Sequence, residues 1–154
     1  VGNDPFAVLL ADDFIVSEEK GVTSDLVRAF EKNRKIQLSV MEIFGSEISN
    51  YGVVQYNPID GKVEGLVEKP EENLAPSNSA SIGRYVLTAE IFDILENQTV
   101  GKGGEIQLAD AINILAKENK VETIKLKGNR FDCGSVKGYL AGINFVANKL
   151  KINN

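Results

Sequence analysis

The sequence predicts a mixed α/β fold in which a mostly parallel sheet is flanked by helices. Strand-like and helix-like segments alternate at both ends of the chain, and a hairpin-like region lies between them. That alternation is typical of α/β domains rather than of all-α or all-β proteins. The first strand is apolar throughout, as strands are when both faces of a parallel sheet are covered. With 154 residues, 43% of them hydrophobic, the chain is long enough to form one core.

The first two elements are predicted to be a strand and a helix. Phe6–Leu10 is wholly apolar, which predicts a strand buried on both faces, although a buried helical turn would have the same pattern. Asp12 and Asp13 end this strand. Thr23 or Ser24 is expected to cap the helix that follows. The apolar stripe of that helix comprises Leu26, Val27 and Phe30.

A strand and a hairpin are predicted next. Ile36–Ile43 has the composition of a strand. Turn-forming proline, aspartate and glycine within Asn57–Gly61 separate two apolar runs, which predicts two strands joined at that turn. The polar residues 71–79 are expected to form a loop.

The rest of the chain predicts a strand, two helices, another strand and a final helix. "ASIGRYVLT" and "VETIKLK" are the expected strands, and Thr88 is expected to cap the helix after the first of them. Ser135 is expected to cap the final helix. The helix after "VGKGGE" has a stripe of Leu108, Ile112, Leu115 and Ala116. The final helix has an apolar face of Val136, Tyr139, Leu140, Ile143 and Val146.

The composition excludes several classes of function. The formal charge is -5 and the isoelectric point is about 4.9, so general binding to nucleic acid or to an anionic membrane is not expected. Cys133 is the only cysteine, which rules out an intrachain disulfide, and no apolar run reaches the roughly 18 residues of a membrane span. A cytoplasmic protein is therefore expected. The absence of histidine excludes imidazole catalysis and histidine metal ligands.

Two aspartates at strand ends are candidates for a metal site. Asp12 follows the first strand, and Asp132 in "RFDCGSVKG" precedes the helix expected at Ser135. Ligands collect outside the carboxyl ends of the strands in such sheets, and two carboxylates suit Mg²⁺ that also holds phosphate oxygens. For either aspartate taken alone, a turn or capping role is the commoner explanation.

The stretch "GLVEKP" contains a candidate site for a sugar phosphate. Glu68 and Lys69 end a strand directly before a proline. A carboxylate there could accept hydrogen bonds from sugar hydroxyls, and the ammonium could meet a phosphate. A solvated ion pair explains the same two residues. Gly52 would permit close approach of a ligand, but a bulge or a tight turn also favours glycine.

Five stretches of the chain carry a resemblance to a known family. They are "PFAVLLADDFI", "NYGVVQYNPIDGKVEGLVEKP", "PSNSASIGRYVLTAEIFDIL", "GKGGEIQLADAI" and "RFDCGSVKGYLAGINFVA". Their order resembles that in bacterial UTP-glucose-1-phosphate uridylyltransferases, a branch of the sugar nucleotidyltransferase family, which implies a Rossmann-like nucleotidyltransferase fold. The G-x-G-T-R segment and P-K loop with which that family binds the nucleotide do not occur here. The resemblance therefore implies that residues 1–154 are the C-terminal part of a single nucleotidyltransferase domain.

The same resemblance implies roles for individual residues. The family's aspartates matching Asp12 and Asp132 hold Mg²⁺, and the lysine matching Lys69 contacts the sugar's phosphate group, which makes these three the implied catalytic residues. Asp13 is left with hydrogen bonding and turn formation. The implied substrate-binding residues are Gly52, Glu68, Lys69, Gly83 and Glu105.

The implied activity of the complete enzyme is uridylyl transfer from UTP to glucose-1-phosphate, which gives UDP-glucose and pyrophosphate. Mg²⁺ is the expected cofactor. A homo-oligomer, or complementation by the missing N-terminal part, is the expected association. An alternative from another class is a non-catalytic fragment or split subunit that binds sugar phosphate or mediates oligomerisation.

Overall fold

The computed structural model describes residues 1–17, 20–99 and 104–151. The strands in those ranges are β1 (Phe6–Leu9), β2 (Asp13–Val16), β3 (Ile36–Glu42), β4 (Gly52–Tyr56), β5 (Val63–Glu68), β6 (Ser79–Leu87), β7 (Val121–Lys125) and β8 (Asn129–Asp132). The α-helices are α1 (Val22–Asn33), α2 (Glu90–Asn97), α3 (Leu108–Lys117) and α4 (Val136–Lys149). Short 3-10 helices span Gly45–Asn50 and Glu72–Leu74. None of these helices is both long and apolar enough to cross a bilayer.

Six strands form one mixed sheet. Its order is β5-β4-β6-β3-β7, and β1 also pairs with β6. The mixed α/β fold is thereby confirmed, and so is the predicted hairpin, in which β4 and β5 pair antiparallel. The expectation of a mostly parallel sheet is wrong for the described strands, because β3 with β7 is the one parallel pair among them. Short connections such as the β4–β5 turn can only join antiparallel neighbours.

The first strand is not buried on both faces. Along β1, Phe6 and Val8 are partly buried, whereas Ala7 and Leu9 are exposed, and Leu9 is 55% exposed. On the covered side, the ring of Phe6 stacks on that of Phe92 with centroids 5.1 Å apart. A uniformly apolar sequence cannot by itself tell a strand covered on two sides from one covered on a single side.

The core consists of two main clusters, on opposite faces of the six-stranded sheet. Helix α1 packs against β3 and β6, and α3 packs against β5. The first cluster includes Leu38, Val54, Leu87, Ile91, Ile112 and Leu115. The second includes Val22, Leu26, Phe30, Ile82, Val86 and Leu126. Apolar burial of this kind is the main source of stability for the sheet and its helices.

One of the three predicted helix caps is confirmed. The Ser135 hydroxyl oxygen accepts a hydrogen bond from the Gly138 amide at 3.0 Å, as expected at the start of α4. The caps at Thr23 or Ser24 and at Thr88 are wrong. Helix α1 follows Gly21, whose φ of 90° is a conformation that glycine adopts without strain, and its first turn makes no side-chain cap. Helix α2 follows Ala89 and likewise has no side-chain cap.

A second, two-stranded sheet was not predicted. β2 and β8 pair antiparallel, with Asp13 opposite Asp132 and Val16 opposite Asn129. The chain therefore turns at Ala11 and Asp12 into another strand, instead of passing directly from the first strand to a helix. This small sheet, rather than the carboxyl edge of a parallel sheet, carries both candidate metal ligands.

The predicted apolar face of α4 is largely exposed. Tyr139 is 54% exposed, Leu140 53% and Ile143 47%. The helix instead meets the small sheet around Gly142, where an added Cβ would lie 3.4 Å from Phe14 and Phe131. The sequence pattern located the apolar side of this helix correctly but did not reveal that the helix packs through another side.

Candidate functional site

The two candidate metal ligands lie at the same end of the small sheet. Asp132 is the last residue of β8, and Asp12 immediately precedes β2. The Cys133 amide donates to the Asp12 carbonyl oxygen at 2.7 Å, which ties the two segments together beyond the paired strands. Arg84 constrains the turn at Ala11 and Asp12, because it donates to the carbonyl oxygens of the flanking residues Leu10 and Asp13. Two acids 120 positions apart are thus held at one place by backbone pairing.

The Asp12 and Asp132 carboxylates flank Gly134. A Cβ placed on Gly134 would lie 3.2 Å from Asp12 Oδ2 and 3.2 Å from Asp132 Oδ1. The Gly134 amide also donates to Asp132 Oδ1 at 3.1 Å, which orients that carboxylate. Asp12 is exposed and Asp132 is partly buried, so both remain accessible to a ligand from solvent. Two carboxylates in this arrangement are a donor set that Mg²⁺ accepts when water and phosphate complete its coordination.

Asp13 has a different environment from its neighbour Asp12. Its residue exposure is 4%, and its Oδ2 accepts a hydrogen bond from the Gly83 amide at 2.5 Å. Its Oδ1 accepts from Arg130 Nε at 2.5 Å and also contacts Arg130 Nη2. The hydrogen-bonding role expected for Asp13 matches this geometry. The carboxylate is committed to the protein interior and does not join the pair at Gly134.

Arg130 connects Asp13 to Tyr51. Its Nη1 donates to the Tyr51 hydroxyl at 2.6 Å, and its guanidinium carbon lies 5.1 Å from the centre of the Tyr51 ring. Burial opposes the charge of Arg130, but Asp13 and Tyr51 raise its pKa overall above the ordinary value. Burial raises the pKa of Tyr51, and Arg130 offsets part of that rise. The phenol therefore remains protonated near neutral pH, with its oxygen free to accept from Arg130.

Glu68, Lys69 and Gly52, which the resemblance implied as substrate-binding residues, lie together. Gly52 is opposite Glu68 in the β4–β5 pair, and a Cβ on Gly52 would lie 3.1 Å from Glu68 Oε2. The Lys69 amide donates to the Tyr51 carbonyl oxygen at 3.0 Å. Gly52 therefore lets the Glu68 side chain pack closely against β4, where a larger residue would crowd it. Glu68 and Lys69 are both exposed.

Lys69 has an unusual backbone conformation. Its φ is 45°, in the left-handed region that disfavours residues other than glycine. The other described non-glycine residues with positive φ, Arg34, Asn119 and Lys151, each follow an α-helix, where this conformation commonly closes the last turn. Lys69 instead follows β5 and precedes Pro70. Strained backbone conformations away from helix ends are concentrated at functional sites. The structure therefore makes Lys69 a stronger candidate for a functional role than the sequence alone does.

The remaining candidates, Gly83 and Glu105, are in separate places. Gly83 is buried in β6, and a Cβ there would lie 2.6 Å from both Asp13 Oδ2 and Leu10 Cβ. Its glycine identity is explained by this close packing. Glu105 is exposed in the segment before α3, and within the described ranges it has no hydrogen bond or ion pair with the other candidates.

Two residues of the site, Arg130 and Tyr51, were given no role by the sequence. Arg130 precedes Asp132 by two positions in β8, so the alternation of a strand places both side chains on one face. Recognising β8 as a strand would have revealed that relationship. Tyr51, Arg130 and Asp132 all line one open cavity of about 620 Å³. No sequence signal connects Tyr51 with Arg130, because their contact depends on tertiary packing.

The chain is similar in sequence to proteins of one known family. The sequence matches the family described as Nucleotidyl transferase over residues 1–149. It is 46% identical over 149 residues to a UTP-glucose-1-phosphate uridylyltransferase of Pseudomonas aeruginosa, a match that covers 94% of this chain and 53% of that protein. The chain thus spans about half the length of the curated relatives it matches.

Solved structures of similar proteins share the fold. The structure of a UDP-glucose pyrophosphorylase complexed with UDP-glucose superposes with a TM-score of 0.89 at 38% identity, over 97% of this chain and 58% of that one. A UTP-bound UGPase from Acinetobacter baumannii gives a TM-score of 0.84 at 35% identity, over 96% of this chain and 52% of that one. Because the family match extends over nearly the whole sequence, the chain belongs to the nucleotidyl transferase family.

Proposed function

We propose that this chain carries the metal-binding and sugar-phosphate side of a uridylyltransferase active site. The reaction joins UTP and glucose-1-phosphate into UDP-glucose and releases pyrophosphate, and residues 1–154 are the C-terminal part of the domain that performs it. The observation that carries the proposal is the placement of Asp12 and Asp132 around Gly134. The proposal is also supported by the 46% sequence identity to a protein named as a UTP-glucose-1-phosphate uridylyltransferase.

In this proposal Asp12 and Asp132 hold Mg²⁺. Within residues 1–17, 20–99 and 104–151, no group of three His, Cys, Asp or Glu residues could hold a metal ion. The remaining ligands are therefore assigned to water and to phosphate oxygens, which is how Mg²⁺ is commonly held in phosphate-binding enzymes. When bound, the ion offsets negative charge on the phosphate oxygens.

Lys69 and Glu68 are assigned to the sugar phosphate. The Lys69 ammonium meets its phosphate group and reduces the repulsion between two polyanionic substrates. The exposed Glu68 carboxylate accepts hydrogen bonds from sugar hydroxyls. Gly83 and Glu105 are assigned to the surroundings of the sugar, Gly83 through its strand rather than through a side chain.

The reaction needs no general base from this chain. An oxygen of the sugar's phosphate group is already anionic near neutral pH, and it forms a bond to the α-phosphorus of UTP as the bond from that phosphorus to pyrophosphate breaks. The role of the protein is alignment and compensation of charge. This chemistry suits a sequence that lacks histidine.

We also assign the protein to the cytoplasm and to a homo-oligomer. The cytoplasmic assignment is supported by the single cysteine, which offers no intrachain disulfide. The oligomer is supported by the exposed apolar side of α4.

Metal binding can be tested on the 154-residue chain itself. Mn²⁺, used in place of Mg²⁺, is titrated and its free fraction is measured by electron paramagnetic resonance. We expect Asp12→Asn, Asp132→Asn and Gly134→Ala each to weaken binding, the last because its methyl group contacts both carboxylates. Asp60→Asn is the control, because Asp60 lies in the β4–β5 turn and pairs with Lys62. Equal Mn²⁺ affinity in all four variants and the parent chain would refute the assignment.

Activity is tested in a chimera that joins this chain to the part of the Pseudomonas aeruginosa relative that it does not match. Pyrophosphate release from UTP and glucose-1-phosphate is measured for the chimera and for the chain alone. We expect turnover by the chimera, no detectable turnover by the chain alone, and a loss of about a hundredfold or more in Asp12→Asn and Asp132→Asn chimeras. Near-normal turnover of the Asp132→Asn chimera contradicts the role of that residue. An inactive chimera, with sugar phosphate still bound by the chain, would favour a non-catalytic binding subunit.

A further inference from the structure

Arg130 contacts residues that adjoin both parts of the candidate site. One edge of its guanidinium binds Asp13, which directly follows Asp12 and pairs with Asp132 across the small sheet. Its other nitrogen, Nη1, binds the Tyr51 hydroxyl. The Arg130 side chain is 11% exposed, so these contacts are largely shielded from water. A single side chain therefore connects the small sheet, with its metal-binding acids, to the segment before β4.

Tyr51 continues this connection to Lys69. Its carbonyl oxygen accepts the hydrogen bond from the Lys69 amide, at the residue whose φ is 45°. The Tyr51 ring is also covered by the Arg130 guanidinium, so the position of the ring and that of the carbonyl are both constrained. The left-handed conformation of Lys69 thus has a hydrogen-bond partner whose own side chain is held by Arg130.

We propose that Arg130 is a positioning residue that sets the placement of Lys69 relative to the Asp12 and Asp132 pair, acting through Asp13 on one side and Tyr51 on the other. The inference rests on the proposed function, in which the metal and the lysine must act on phosphate groups of two substrates at once. Alignment of two substrates contributes strongly to the reaction rate, and a small displacement of the groups that align them lowers that rate. Arginine suits this role because its planar guanidinium donates hydrogen bonds in several fixed directions, whereas a lysine ammonium is a compact charge on a flexible chain.

The connection to Lys69 can be measured without any turnover. Tyr51→Phe removes the hydroxyl bonded to Arg130 while it leaves the ring and the carbonyl in place. Amide hydrogen exchange is followed by nuclear magnetic resonance in the 154-residue chain, and we expect the Lys69 amide to exchange about tenfold faster in this variant. The Tyr51 hydroxyl also donates to Glu47 Oε1, at 3.4 Å, whereas the bond from Arg130 is 2.6 Å long. Tyr56→Phe is the control, because the Tyr56 hydroxyl shares a hydrogen bond with Thr123 and none with Arg130. Equal exchange at Lys69 in both variants would overturn the connection.

The functional part of the proposal is tested in the chimera described above. We expect Tyr51→Phe to lower kcat/KM for glucose-1-phosphate about tenfold, with a higher KM for that substrate and an unchanged KM for UTP. Arg130→Lys is expected to have a similar effect, and the double variant to be less impaired than the product of the two single effects. A purely structural role would lower the active fraction, and therefore kcat, without changing either KM.

The two proposals fail in different ways. If the chimera that retains Arg130 and Tyr51 makes no UDP-glucose, the proposed function is wrong, and exchange at Lys69 still decides whether the connection exists. If that chimera is active and Tyr51→Phe matches Tyr56→Phe in kcat and in both KM values, the positioning role of Arg130 is wrong while the proposed function stands.

Discussion

Arg130 and Asp13 form a buried ion pair beside an exposed carboxylate. Their side chains are 11% and 5% exposed, and Arg130 reaches Asp13 Oδ1 through both Nε and Nη2. Asp12, the residue just before Asp13, is exposed and faces Gly134 instead. Two consecutive aspartates therefore have separate tasks, one in holding the structure together and one in the candidate metal site.

Replacement of each aspartate should separate these tasks. Asp13→Asn leaves the Arg130 charge buried without its partner, and we expect the free energy of unfolding to fall by about 3 to 5 kcal/mol. Asp12→Asn changes an exposed side chain, and we expect a change of about 0.5 kcal/mol or less. Urea denaturation of both variants checks this prediction. Similar stability of the two variants would mean that the ion pair does not hold the small sheet in place.

Lys69→Ala should change the KM for one of the two substrates only. If the ammonium meets the phosphate of the sugar, its loss raises the KM for glucose-1-phosphate by about tenfold or more and leaves the KM for UTP nearly unchanged. Steady-state kinetics of the chimera provide the measurement. The control is Lys62→Ala in the hairpin, where the lysine is exposed and paired with Asp60. If the Lys69→Ala and Lys62→Ala variants have the same KM for each substrate, the proposed role of Lys69 is wrong.

The backbone at position 69 makes a separate prediction about stability. Because glycine adopts a φ of 45° without the cost borne by alanine, Lys69→Gly should be more stable than Lys69→Ala by about 1 kcal/mol. Thermal unfolding of the two variants tests it, and both lack the ammonium, so charge does not enter the comparison. A less stable glycine variant would show that the left-handed conformation is not kept in solution.

Two glycines of the site should respond differently to alanine. At Gly83 the new methyl group would lie 2.6 Å from Leu10 Cβ and from Asp13 Oδ2 in a buried strand, and we expect a loss of about 1 to 3 kcal/mol in unfolding free energy. At Gly134 the nearest atoms are 3.2 Å away and the residue is exposed, so stability should change little while Mn²⁺ binding weakens. Denaturation and metal titration of the same two variants decide the matter; equal destabilisation would contradict the packing at Gly83.

The exposed apolar side of α4 should make the chain associate. Tyr139, Leu140 and Ile143 are each about half exposed, and Phe14 beside them is 37% exposed. We expect the 154-residue chain to scatter light as a species larger than a monomer, and Leu140→Glu with Ile143→Glu to reduce that size. Ile59→Glu is the control, because Ile59 is 93% exposed at the hairpin turn, away from this face. A monomeric parent chain would refute the prediction.

Local patterns in the sequence were sufficient for most of the regular elements. The β4–β5 hairpin follows from its turn residues, α3 from the spacing of its apolar side chains, and α4 from the Ser135 cap, because each of these signals acts over a few positions. Placement at strand ends made Asp12, Asp132 and Lys69 candidates, and the resemblance to a family implied their roles. The structure places the first two on either side of Gly134.

Long-range pairing decided what the local patterns could not. The small β2–β8 sheet joins segments more than 110 positions apart, so neither short strand is distinctive until its partner is known. For the same reason the apolar run of β1 did not show which of its faces is covered, and the apolar spacing of α4 did not show which side packs.

The amino-acid sequence by itself determined a mixed α/β chain with acids at two strand ends and a lysine before a proline. Only the tertiary structure decided that Asp13 is buried against Arg130 while Asp12 is exposed, and that Tyr51 connects Arg130 to Lys69. The physical reason is that a charged side chain's role depends on its burial and its partners. Those are fixed by contacts between residues that are distant in sequence.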